Sequence, residues 1–288
     1  MKLTVFTPAY NRANLLPRLF ESVKKQKCRD FEWLIVDDGS SDDTGAVVGD
    51  FIKASDITVR YIYQENAGKP SAFNNAVKNA KGDLFFCVDS DDILADDAVE
   101  TICGSWKENQ DSISGIIGLK SDFSGKLLCG RIPDKLKKSS LYSLVNKYGC
   151  SGEFSLVFRT DILRNNPFPV ISGEKFITEC VLYDRLDMKH EMVLSDKVLT
   201  VCEYQQGGLS DNTYTVQVNN PVGYKLYYMQ RLDMALSFRE RFGYALRYNA
   251  FGYLGKTHEY DYAGKHKGLV RALKPFGFLL SFYYNGRR

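Results

Sequence analysis

The stretch "GDLFFCVDSDDILADDA", residues 82–98, sets five apolar residues, Leu84 to Val88, directly against Asp89, Asp91, Asp92, Asp96 and Asp97. A continuous apolar run of this length suits a strand buried on both faces, as in a parallel sheet. Like charges crowded at the end of such a strand repel one another unless something positive is held among them. The stretch therefore marks both a buried strand and a site at its carboxyl end. Asp96 and Asp97 have a plainer reading, because they precede a helical pattern carrying Val99, Ile102, Cys103 and Trp106, where acids offset the helix dipole. Asp89 and Asp91 have no helix of their own to cap. As a D-x-D pair in an extended chain they are expected to point to one side. Two hard oxygen ligands there suit Mg2+ or Mn2+, with a diphosphate supplying the rest of the shell.

Working back toward the N-terminus, the same unit recurs three times. "KLTVFT" (2–7) is a short apolar run, followed by Leu15, Leu16, Leu19, Phe20 and Val23 at helical spacing, with Asn14 as candidate N-cap and Pro17 in the first turn. "FEWLIV" (31–36) is followed by capping residues and by Val47, Val48, Phe51 and Ile52. "ITVRYIY" (57–63) is followed by Ala72, Phe73, Ala76, Val77 and Ala80, with Gly82 expected to close that helix. Strands alternating with amphipathic helices predict an α/β fold with a mostly parallel central sheet flanked by helices. Ligands of such sheets bind beyond the carboxyl ends of the strands. The loops there are "TPAYNR", "DDGSSDD", "QENAGKPSAFNN" and "DSDD", and all four are expected at one edge. Gly68 permits a tight backbone path, and Lys69 at the start of the following helix faces an anion in this reading.

Several classes are excluded. Counting from Asp89 as a calcium loop puts Leu94 where glycine is needed. The G-x-G-x-x-G and G-x-x-x-x-G-K-[ST] fingerprints are absent, which removes simple dehydrogenases and P-loop NTPases. Two alternatives stay open on the residues alone. One is a metal-dependent phosphatase of haloacid-dehalogenase type with Asp89 as nucleophile. The other is a non-catalytic protein that binds a nucleotide sugar or a membrane surface.

The 288 residues suit one large domain or two closely joined ones, and a 44% hydrophobic content is ample for a core. A net charge of +3 is too balanced for nucleic acid as the main partner. Seven cysteines, at 28, 87, 103, 129, 150, 180 and 202, form an odd set without a C-x-x-C pair. That argues against a disulfide framework or structural zinc and for a reduced, cytoplasmic compartment. Neither a signal peptide nor a membrane span is expected.

The four motifs "VFTPAYNR", "FEWLIVDDGSSDDT", "QENAGKPSAFNNAV" and "GDLFFCVDSDDIL", in this order, resemble a family 2 glycosyltransferase with the Rossmann-like GT-A fold. The likeness is dense over residues 3 to about 100. It continues through "FRTDILRNNPFP", "GEKFITECVLYDRL" and "EYQQGGLS", which are similar to bacterial enzymes of capsular or surface polysaccharide assembly. The resemblance implies inverting sugar transfer from a nucleotide diphosphate donor, UDP-linked, to a glycan or glycolipid acceptor, with Mn2+ or Mg2+. It implies that Pro8 and Tyr10 line the nucleobase pocket and that Asp38 accepts from the base imide. Lys69 then approaches the diphosphate or ribose, Asp89 the ribose or donor sugar, and Asp91 the metal. In many relatives a G-E-D helix start carries the general base, with an arginine six residues after the aspartate. Here "TECVLYDRL" places Glu179 six residues before Arg185, with Thr178 where the preceding glutamate usually stands, and Glu174 is the competitor.

These readings divide the chain into a catalytic domain, 1–215, with a nucleotide-binding half 1–105 and an acceptor half 106–215, and a helical region, 216–288. In the latter "GYKLYYMQRLDMALSFRERF" carries Tyr224, Tyr227, Tyr228, Leu232 and Leu236 at helical spacing. After Asp261 there is no acid, while Lys265, Lys267, Arg271, Lys274, Arg287 and Arg288 accompany five aromatics from Phe276 to Tyr284. Such a tail either lies on an anionic membrane face or packs its aromatics on the protein.

Overall fold

The computed structural model describes residues 1–106, 113–203 and 213–286. Arg287, Arg288 and most of "EYQQGGLS" lie outside the described residues. The chain forms two compact units, one of residues 1–167 and 189–203, the other of 168–188 and 213–286.

In the first unit, β1 (Leu3–Ala9), β2 (Phe31–Asp37), β3 (Thr58–Tyr63) and β4 (Leu84–Cys87) pair in parallel in the order β3-β2-β1-β4. The connecting helices are α1 (Leu16–Lys24), α2 (Thr44–Ala54) and α3 (Lys69–Asn79); α1 buries Leu16, Leu19, Phe20 and Val23 and α3 the whole stripe read from its sequence, whereas α2 buries Val48 and Phe51 and leaves Val47 half-buried and Ile52 exposed. Beyond β4 the sheet takes strands of both senses: β5 (Ile93–Leu94), β6 (Ile113–Asp122), β7 (Lys138–Ser139), β8 (Phe154–Arg159) and β9 (Glu191–Cys202). Their order is β4-β8-β6-β9-β5, with β7 beside β9 and β8 antiparallel to both its neighbours. Three short helices, α4 (Ala98–Ser105), α5 (Leu141–Asn146) and α6 (Thr160–Arg164), complete the unit. Phe20, Trp33 and Phe51 stack in its core, with Phe20 and Phe51 ring centroids 4.1 Å apart. Glu32, wholly buried in β2, is tolerated because Thr4 Oγ1, the Lys81 amide and Arg60 Nη1 donate to it at 2.7–2.8 Å.

Three local expectations are corrected. Asn14 does not cap α1, because the turn begins earlier: the Arg12 carbonyl accepts from the amides of Leu15 and Leu16. Gly82 does not close α3, which ends at Ala80 in extended backbone. Glycine is needed at 82 for close approach, since a Cβ there would lie 2.3 Å from the Thr4 amide nitrogen. Nor is the D-x-D segment extended. It folds into a tight turn closed by the Asp92 amide on the Asp89 carbonyl at 3.0 Å, so strand alternation does not govern Asp89 and Asp91.

The second unit is helical: α7 (Cys180–Asp187), α8 (Thr213–Asn219), α9 (Pro221–Met234), α10 (Phe238–Leu254), α11 (Lys267–Ala272) and α12 (Lys274–Asn285). It divides the chain differently from the boundary at 215. Residues 168–188 join the C-terminal helices because Phe176 stacks on Tyr224 and Glu174 accepts from the Val222 and Gly223 amides at 2.7 and 2.9 Å. Tyr224, Tyr228 and Leu232 enter its core, but Leu236 is exposed, because α9 ends at Ala235 and Ser237 starts α10 with a capping box to Glu240.

One ion pair ties α7 to α9: Arg231 Nε donates to Asp184 Oδ2 at 2.6 Å, with the acid 2% exposed. Gln230 adds a bond to the Val181 carbonyl at 3.1 Å. Arg231→Met strands a buried carboxylate and is expected to cost about 3–5 kcal/mol, read from urea unfolding. The double variant Asp184→Leu/Arg231→Met should recover most of that loss. No recovery would show that the pair is more than a mutual neutralisation.

Candidate active site

The loops after β1 and β2 are stitched side chain to backbone. Asn11, at φ +54, accepts from the Ser41 amide through its Oδ1, and its own amide donates to Ser40 Oγ at 2.8 Å. Asp42 accepts from the amides of Ala13 and Thr44, and the Arg12 amide donates to Thr44 Oγ1. Beside this stitched loop Tyr10 is 49% exposed, and Pro8, near the end of β1, is half-buried. An exposed aromatic face on a fixed loop is able to stack on a planar ring.

Asp37, the last residue of β2, and Asp38, the next, are both buried. Asp37 serves the turn, accepting from the Ser40 amide at 2.8 Å and from Tyr61 Oη at 2.6 Å. The Asp38 carboxylate accepts from Gln64 Nε2 and from the Ala67 and Gly68 amides at 2.8–2.9 Å. A carboxylate offers about four acceptor positions, so three are committed to the 64–68 segment. Gly39, at φ +83, is required beside it, since a Cβ would lie 2.8 Å from the Asn66 amide nitrogen.

That segment delivers α3, whose first residue is Lys69. Gly68 takes φ +89 at the helix start, and Lys69 Nζ lies 2.8 Å from Asp89 Oδ1. Burial pushes the Asp89 carboxyl upward, but the Lys69 charge and hydrogen bond, with Lys120 and Arg12 further off, hold it below the ordinary carboxylate value. Asp92 is buried, with Lys120 Nζ at 3.5 Å. Burial alone would lower the Lys120 ammonium, and Asp92 beside it raises it above the usual lysine range. Asp91 differs from both: its carboxylate has no ion pair or hydrogen bond among the described residues, while Arg18 Nη2 donates to its carbonyl at 2.6 Å.

Among the described residues no group of three or more His, Cys, Asp or Glu side chains is assembled to hold a metal. The donor set of the turn, one unpaired carboxylate beside a second already neutralised, fits a hard cation that draws most of its shell from substrate oxygens. The two acids proposed for proton transfer lie in the helical unit. Glu174 has both oxygens engaged at the start of α9. Glu179 stands at the start of α7, half-buried, and accepts from Tyr183 Oη at 3.2 Å without capping the helix.

Sequence reasoning missed Lys120, Arg18 and Gln64. Each meets its carboxylate or carbonyl from 26 to 73 residues away, and no local pattern signals such a pairing. The Asp89–Lys69 pair yields a pH prediction. Because the folded-state pKa lies below the unfolded one, the pair contributes stability above the ordinary carboxylate range and loses it as pH falls through the lowered value. In Lys69→Met the Asp89 midpoint, followed by carboxyl carbon NMR, is expected to rise by about one unit or more. An unmoved midpoint would assign the lowering to Lys120 and Arg12 instead.

The family model for glycosyl transferase family 2 matches residues 4–162. A curated relative from Campylobacter jejuni, named as a GalNAc(5)-diNAcBac-PP-undecaprenol beta-1,3-glucosyltransferase, is 32% identical over 175 residues, 58% of this chain and 54% of its own length. The chain therefore spans about half of that relative. Among solved structures, S. aureus TarS 1-349 in complex with UDP-GlcNAc aligns over all of this chain and 93% of its own, with TM-score 0.63 and 17% identity. The mannosyltransferase PcManGT from Pyrobaculum calidifontis, in complex with GDP-Man and Mn2+, covers 99% of this chain and 82% of its own, with TM-score 0.57 and 18% identity. At such identities these structures establish the GT-A fold alone. The phosphatase alternative accounts for none of the matched loops beyond the acidic turn. With the family model covering more than half of the chain, over the strands and loops that build this edge, the protein belongs to glycosyl transferase family 2.

Proposed function

We propose that this glycosyltransferase moves a sugar, with inversion at the anomeric carbon, from a UDP-linked donor to a glycan or lipid-linked glycan acceptor in polysaccharide assembly. The observation that carries the reading is the Lys69–Asp89 pair beside Asp91, at the carboxyl edge where the matched family loops meet. The UDP-GlcNAc named with TarS and the undecaprenol-linked substrate in the relative's name support the donor and acceptor classes.

In this mechanism Pro8 and Tyr10 receive the nucleobase, and the remaining acceptor position of Asp38 takes its imide N–H. Lys69 exchanges Asp89 for the diphosphate, freeing that carboxylate for the ribose or donor sugar. Asp91 would hold Mn2+ or Mg2+, which supplies neutralisation of the charge that develops on the leaving diphosphate. Glu179 removes the acceptor hydroxyl proton as the oxygen attacks the anomeric carbon and the bond to the diphosphate breaks. Tyr183 orients that carboxylate, and Glu174, engaged with α9, serves structure. Work at the cytoplasmic face of a membrane, with the basic residues 265–288 toward anionic lipid, belongs to the same reading.

Thermal stability against UDP, dTDP, GDP, CDP and ADP, with and without Mn2+, tests the donor edge. At about a hundredfold over its dissociation constant the true nucleotide should add roughly 2.7 kcal/mol. Asp91→Ala is expected to abolish the Mn2+ dependence. Glu179→Gln should keep the nucleotide response and lose about a hundredfold or more in transfer rate. Full turnover by Glu179→Gln would return the base to another residue, and silence toward every nucleotide would remove the donor assignment.

A further inference from the structure

The outward side of α12 is unexplained by the fold or by sugar transfer. From Pro275 to Asn285 the helix carries no charged residue. Its inward side is Gly277 and Ser281, where a Cβ at 277 would meet Asn249 Cβ at 2.3 Å, together with Tyr284, packed 4.9 Å from Phe251. The aromatics of the tail thus divide. Tyr284 packs inward, while Phe276, Phe278, Leu279, Phe282 and Tyr283 face solvent, Leu279 at 65% and Phe276 at 59%. Phe278 meets Phe282 at 4.8 Å and Tyr253 at 5.3 Å, so the apolar surface continues onto α10. Contiguous exposed apolar surface of this kind marks an interaction site.

Charge selects the partner. Lys265, Lys267, Arg271 and Lys274 are all exposed immediately before the apolar face, and no acid follows Asp261. A second copy docked on the same face by two-fold symmetry would bring two such cationic segments into one interface with no acid after Asp261 to offset them. An anionic lipid surface meets both halves of the pattern, headgroups for the cations and acyl boundary for the aromatics. Among the described residues no helix is long and apolar enough to cross a membrane.

We infer that α12 is an in-plane interfacial anchor, with Phe276, Leu279, Phe282 and Tyr283 entering the acyl boundary of an anionic bilayer and Lys267, Arg271 and Lys274 at the headgroups. The inference deepens the acceptor reading above, since a lipid-linked acceptor is presented at that surface. Its test needs neither donor nor acceptor.

Vesicles of phosphatidylcholine with about one third phosphatidylglycerol are expected to co-sediment the wild-type protein, and vesicles of phosphatidylcholine alone to do so weakly. Leu279→Glu/Phe282→Glu, at two exposed positions, should lower the vesicle-bound fraction about tenfold or more. Its melting temperature and nucleotide response should match wild type, which separates loss of the anchor from failure of the transferase reading. Wild type left in the supernatant, or a double variant that still pellets, overturns the inference. So does a wild-type dimer in sedimentation velocity that the double variant abolishes, because the face then belongs to a second copy.

Discussion

The buried carboxylate of Asp38, accepting from Gln64 and from the Ala67 and Gly68 amides, is the constraint on which the carboxyl edge of the sheet depends. A carboxylate only 5% exposed is tolerated when its lone pairs are met by donors. By taking those donors it holds Gly68 in a left-handed conformation and so sets where α3 begins. Lys69 is the first residue of that helix, and its place opposite Asp89 follows from the turn before it. Loops from three strands are thereby tied together by two carboxylates.

The crowding of acids after β4 is resolved one charge at a time. Lys69 answers Asp89 and Lys120 answers Asp92, each arriving from a different element, while Asp91 carries no such partner among the described residues. Two of three like charges are neutralised within the protein. The third is the carboxylate proposed above to hold the metal. This arrangement keeps the turn compact, with the Lys69–Asp89 contact at a part-exposed site.

In the helical unit, residues 168–188 and the C-terminal helices fold as one body. Glu174 holds the start of α9, and Arg231 and Gln230 of α9 hold α7, which begins beside Glu179. A region that composition alone marks as appended therefore shares its core and its polar contacts with the segment carrying the proposed base. The Tyr224, Tyr228 and Phe251 cluster supplies the apolar mass for that joint.

The alternation of apolar runs with 3.6-residue stripes was enough to read the parallel half, its helices and the four loops at its edge, because period and burial are local properties of a chain. The ordered motifs carried the family. What the sequence could not specify was which partner each loop residue meets. Asn14 matched a cap and Gly82 a helix end by type, yet the Arg12 turn pre-empted the first and the approach of Thr4 explains the second. The D-x-D segment matched an extended pair and folded as a turn. Lys120, Arg18 and Gln64 reached their carboxylate or carbonyl partners only through the tertiary fold, and the split of the tail aromatics into a packed Tyr284 and an exposed Phe276, Phe278 and Phe282 was decided by where α12 crosses Asn249. By itself the sequence determined the elements of the parallel half, their order and the gathering of its four loops at one edge. The tertiary structure decided pairing and exposure, because hydrogen bonds and ion pairs depend on distances in space that residue types do not encode.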